Sequence, residues 1–167
     1  MSRMSRMSRT SVAPLVAPLS EKEQLSFAQR VICSAAAGHL LAWLGPYAPE
    51  EVAQWIREGR DWSTELPDDL PLPKLPIVRP VLLRALQDMD ERTWGHILEL
   101  MAAGAPEMCR REAERTGNPE HMAEAPRIAE RLQTIAAMLA DKRAWPWYCR
   151  TMSRLRDRIV ARLEGSA

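Results

Sequence analysis

Four arginines, Arg150, Arg154, Arg158 and Arg162, recur at every fourth residue near the C-terminal end of the chain. On a helix that spacing sets the guanidinium groups in a slowly turning stripe, spread over ~120° of one side. A guanidinium stays charged and presents a planar fork of donors, so a row of them suits phosphate or carboxylate oxygens. Arg143 precedes the stripe, Lys142 and Arg156 add to the charge around it, and only Asp157 and Glu164 answer it locally. At helical pitch such a row can follow a nucleic-acid backbone without reading its sequence. Trp145, Trp147 and Tyr148 lie beside it and, if exposed, could stack on bases. The same stripe would equally meet an acidic surface, within the fold, across an oligomer or on a protein partner.

Other constellations carry less. His39, His96 and His121 are scattered, and so are Cys33, Cys109 and Cys149. His96 with Glu99 and His121 with Glu124 are pairs three residues apart, which share a helix face. Di-iron bundles need such pairs in the opposite order with partner glutamates, and zinc needs closely spaced Cys or His pairs, so neither metal centre is expected. A helix-turn-helix reading of Ala113 and Gly117 fails, because Glu112, Thr116 and Asn118 occupy positions that should be apolar. Arg115 and His121, with five residues between them, resemble the Arg-x4–6-His spacing of the HEPN family of all-α ribonucleases. That resemblance would make His121 a general acid or base and Arg115 the holder of the scissile phosphate. Thr116 stands where an amide or histidine usually follows the arginine, and Gly117-Asn118-Pro119 interrupts the element between them. No Gly-rich phosphate loop or nucleophile elbow occurs, and no cofactor is implied.

The elements that must position the arginine stripe read as helices throughout. Ala, Leu, Arg, Glu and Met abound, β-branched residues are few, and no stretch alternates as a strand would. Residues 1–9 repeat Met-Ser-Arg three times, and Val-Ala-Pro-Leu occurs twice after them, so 1–19 reads as a disordered basic tail. Its arginines could touch phosphates, or the tail could simply contain several start codons. Ser20 and Glu23 form a capping-box pattern. The helix they start carries a small-residue stretch at 33–38, suited to close approach by a neighbour, and stops at Gly45-Pro46. A short helix follows from Pro49 to Gly59.

Residues 60–80 form a proline-rich connector, with five prolines between Leu66 and Pro80. It reads as a polyproline strap across the bundle rather than a ligand for a polyproline reader, because Leu70, Leu72, Leu75 and Ile77 supply apolar anchors. Helices are expected over 80–88 and, capped by Asp90, over 91–103. Gly104-Ala105-Pro106 predicts a kink or break, with a further segment to Arg115. Thr116-Gly117-Asn118-Pro119 predicts a turn. Pro126 is expected to open the next helix, to about Ala140, and Pro146 the last, to about Leu163. In that last helix Tyr148, Met152, Leu155, Ile159 and Leu163 recur at 4-3-4-4 spacing and predict the core face. The expected fold is an all-α irregular bundle of about six helices, with 20–167 as a single helical domain.

Charge is segregated along this fold. Residues 20–75 hold five basic and nine acidic side chains and 76–140 hold eight and ten, whereas 141–167 hold seven and three. The net charge of +1 is therefore a cancellation between an acidic body and basic ends. An odd number of cysteines without a CxxC pair, and the absence of a signal-peptide pattern, predict free thiols in a reducing, cytoplasmic setting. The charge-free run from Val31 to Pro49 is too short in its helical part for a membrane span. The function expected from these features is a small non-catalytic accessory subunit within a larger assembly, binding nucleic-acid backbone through Arg143, Arg150, Arg154, Arg158 and Arg162. The alternative is an adaptor or regulator that offers the same helix to an acidic protein partner, or to another copy of itself in a homo-oligomer. The enzymatic alternative is a metal-independent RNase of the HEPN type.

Overall fold

The computed structural model describes residues 19–66 and 77–165. Six α-helices and one 3-10 turn occupy these residues, with no strand among them. The helices are α1 (Glu21–Leu44), α2 (Pro49–Glu58), α3 (Arg79–Gln87), α4 (Glu91–Thr116), α5 (Pro119–Ala140) and α6 (Trp145–Gly165), with the 3-10 turn at Trp62–Glu65. The tail expected over 1–19, save Leu19, and the anchors Leu70, Leu72 and Leu75 of the expected strap lie outside the described residues. Ile77, the fourth of those anchors, is described and packs against the core.

Local chemistry sets most boundaries. At α1 the Glu23 amide donates to Ser20 Oγ at 3.2 Å and the Ser20 amide donates to Glu23 Oε1 at 3.1 Å, the reciprocal cap that the sequence predicts. Pro49 opens α2, where a missing N–H is harmless, and Gly59 closes it at φ 65°, a left-handed conformation that favours glycine. Asp90 accepts from the Arg92 and Thr93 amides to start α4. Gly117, at φ 67°, ends α4, and Asn118 caps α5 by accepting from Glu120 N at 2.9 Å. Two long helices joined by so short a turn must run antiparallel.

Two expectations about prolines are corrected. Gly104-Ala105-Pro106 does not break the chain, because α4 runs unbroken through Pro106. The proline leaves the carbonyl of Ala102 without its i+4 amide, and Gln133 of α5 supplies the missing donor, Nε2 to Ala102 O at 3.0 Å. The buried seam also continues past the site, from Trp94, Ile97, Leu98 and Met101 to Ala105 and Ala113. Pro126, expected to open a helix, lies inside α5, which begins at Pro119 instead. Its side chain is exposed, so the Met122 carbonyl it orphans faces a side that water can reach. Ala125, Ala129, Leu132, Ile135, Ala136 and Leu139 form a continuous buried seam across it.

The α4–α5 hairpin is the centre of the bundle. α1 packs on α4 and α3, with Cys33, Ala36 and Ala37 of its small-residue stretch buried, while α3 also meets α6 and α2 lies on α5. Arg131 of α5 donates Nη2 to Gly45 O at 2.5 Å and ties the end of α1 down. A run of aromatic rings fixes the first residues of the connector, around Trp62. Tyr47 meets Trp55 edge-on at 4.9 Å, Trp55 meets Trp62 at 5.8 Å, and Trp62 stacks on Trp147 of α6 at 5.6 Å and 14°. Among the described residues no single helix is long and apolar enough to cross a membrane. The pair α1 and α2 would pass by length and composition, but the two are bent by 102° at their junction.

Candidate nucleic-acid interface

α6 presents the face that the sequence predicts to the core. Tyr148, Met152, Leu155 and Ile159 are buried and Leu163 packs partly against them. Tyr148 donates its hydroxyl to Trp94 O at 2.9 Å, locking α6 to α4. The buried phenol is held well above its ordinary range, by desolvation first.

The arginines sort into two kinds. Arg143 in the approach to the helix, and Arg150, Arg154 and Arg162 along it, are exposed. Arg150 and Arg154 border a shallow depression that Glu91 and Asp157 also line. Arg158 is half-buried and donates Nη2 to Leu66 O at 2.9 Å, so it serves the connector. Arg156 lies on the far side of the helix. It donates Nη1 to Met89 O at 2.6 Å, meets Asp157 through Nε at 3.0 Å, and sits over the Trp94 ring at 5.9 Å. Its role at the α3–α4 junction was not singled out by spacing, although its place one residue after Leu155 puts it at the margin of the core face.

Arg154 has both roles. Its Nη1 is 3.3 Å from Asp61 Oδ2, yet its side chain remains 54% exposed. Asp61 also caps the 3-10 turn, its Oδ1 accepting from Ser63 N at 3.2 Å and from the Ser63 hydroxyl. The Ser63 hydroxyl holds the Asp61 carboxyl below the usual range, with the Ser63 amide and Arg154 adding to the effect against desolvation.

The aromatic residues beside the stripe are engaged in the fold. Trp147 is 4% exposed, stacks on Trp62 and donates Nε1 to Arg60 O at 2.7 Å. Tyr148 is buried too, so neither offers a ring for a base to stack on, and that sequence expectation is corrected for both. Trp145 is half-buried, 5.7 Å from Tyr148.

The residues weighed for other chemistry lie elsewhere. Arg115, on the last turn of α4, pairs with Glu112, and His121 on the first turn of α5 has Nδ1 2.9 Å from Thr116 Oγ1. His121, Glu112 and Glu124 rim a cleft of ≈ 490 Å³ between α1, α4 and α5, floored by Leu41, Ala113 and Leu132. Among the described residues no three His, Cys, Asp or Glu side chains gather as a metal site. Cys33 and Cys149 are buried free thiols, and desolvation pushes each up to about 11. No protein-family model, curated protein or solved structure matches the chain.

Proposed function

We propose that the protein is a non-catalytic accessory subunit that holds a polyanion, the phosphate backbone of a nucleic acid, against α6 and the turn before it. One observation carries the reading. The segment with the excess of positive charge keeps Arg143, Arg150, Arg154 and Arg162 at the surface, on a body whose remaining charge is acidic. Such segregation orients a polyanion toward one end of the molecule and repels it from the rest. With Trp147 and Tyr148 buried, neither ring is available to a base, and the contact is chiefly electrostatic and blind to base sequence. Arg158 now belongs to the scaffold that presents this face.

The test is fluorescence anisotropy with labelled single-stranded RNA and duplex DNA, comparing the parent with Arg143→Glu/Arg150→Glu. Both residues are exposed, so the variant is expected to fold and to lose binding to either probe. Unchanged binding would exclude this face as the contact. Absence of binding by the parent, with an acidic protein retained through the same arginines, would replace the polyanion by an acidic partner and make the chain an adaptor.

A further inference from the structure

We infer that Asp61 is a built-in competitor for the polyanion, an intramolecular carboxylate seated on Arg154 where a phosphate oxygen would otherwise bind. The inference rests on the polyanion reading above and adds a residue that sets its strength.

Three bonds bring residues 60–66 onto α6: Trp147 Nε1 to Arg60 O, Arg154 to Asp61, and Arg158 Nη2 to Leu66 O. The outer two donate to backbone carbonyls and fix the path of the chain. Only the middle one joins opposite charges, and it alone involves an arginine of the exposed set. Asp61 divides its carboxylate between two tasks, with Oδ1 on the 3-10 turn and Oδ2 on Arg154. Arg60, the nearest alternative cation in sequence, is taken by Glu65 and lies over the Trp55 ring at 5.3 Å.

The pair is open to solvent, with side chains 54% and 44% exposed. An exposed ion pair is weak, so an incoming phosphate can displace it, and the carboxylate lowers affinity without closing the site. Because Asp61 is held in place by the turn it caps, its effective concentration at Arg154 is high and constant. Free salt must supply the same competition from bulk. At Arg154 the polyanion must therefore displace a resident carboxylate.

Asp61→Asn is the discriminating variant, because asparagine is an equally good cap and keeps the acceptor at Ser63 while removing the charge. Circular dichroism should be unchanged, and Asp61→Ser provides a second cap-preserving variant. In anisotropy titrations, Asp61→Asn should bind duplex DNA about two- to fivefold more tightly at ~50 mM salt, the range one exposed ion pair supplies. Its log–log salt slope should be steeper by at most about 0.9, the limit in which Asp61 keeps the phosphate off Arg154 in the parent. Both gains should vanish when Arg154→Gln is added. A parent that binds and an Asp61→Asn variant with the same affinity and slope would overturn the inference and leave the polyanion reading intact. A gain that persists in the Arg154→Gln background would also overturn it, as a general effect of removing one negative charge. Failure of both parent and Asp61→Asn to bind any probe would remove the polyanion reading, and this inference with it.

Discussion

Gln133 should be worth more to this fold than a half-buried glutamine usually is, because it repairs a defect that Pro106 makes. The Ala102 carbonyl has no amide at position 106 to accept from, and Gln133 Nε2 donates to it at 3.0 Å. Gln133→Met keeps the length and removes the donor. A neutral hydrogen bond contributes about 1 kcal/mol net, and an acceptor left bare in the interior costs about 1–3 kcal/mol. Ala102 and Gln133 border a surface groove, so water can reach the carbonyl and the low end applies, about 1–1.5 kcal/mol. Pro106→Ala restores the amide. An interior proline is ~3 kcal/mol worse than alanine in an unconstrained helix. Here Gln133 already offsets part of that, so Pro106→Ala should stabilise by about 1–2 kcal/mol. The decisive quantity is the coupling. In the Pro106→Ala background, Gln133→Met should cost ~0.5 kcal/mol or less, since the carbonyl then has its own donor. Equilibrium urea unfolding of the four proteins measures it. Equal costs of Gln133→Met in the two backgrounds would refute the repair.

Three further outcomes follow from side-chain placement. Tyr148→Phe removes the hydroxyl bonded to Trp94 O inside the core and should cost about 1 kcal/mol, read as a lower urea midpoint, without changing polyanion affinity. Iodoacetamide near pH 8 should label Cys109, the most exposed of the three thiols, first; Cys33 and Cys149, buried and shifted to about 11, should react only on unfolding, as peptide mass mapping would reveal. Asp61 has a depressed pKa, so its contribution to stability is present above its unfolded value of ~3.9 and is lost as pH falls through the lower folded value. The difference in melting temperature between the parent and Asp61→Asn should be level near neutrality and close only in acid; a difference that closes with rising pH would contradict the assignment.

The caps were legible because each is a local device. Ser20 with Glu23, Asp90, and the left-handed Gly59 and Gly117 act within one turn of themselves, and the structure has all four. The interior prolines were not, since the sequence places the loss of an amide at Pro106 but not the donor 27 positions later on another helix. Among the arginines, the 4-residue spacing of 150, 154, 158 and 162 concealed a second period. Trp147, Thr151, Arg154 and Arg158 recur at 4-3-4 and share the side facing the connector, with Trp147 and Thr151 buried. That period puts Arg154 and Arg158 on the connector side, apart from Arg150 and Arg162. The tie from Arg154 to Asp61 had no sequence signal, since it depends on a 93-residue separation closed by the aromatic stack.

The most direct measurement is the salt dependence of duplex-DNA binding by the unmodified protein, from about 50 to 200 mM salt. The exposed Arg143, Arg150, Arg154 and Arg162 predict a log–log slope of about −2.7 to −3.6, the value for three to four phosphate contacts. Binding that is absent at the lowest salt, or present with a slope near zero, would contradict a phosphate contact on α6.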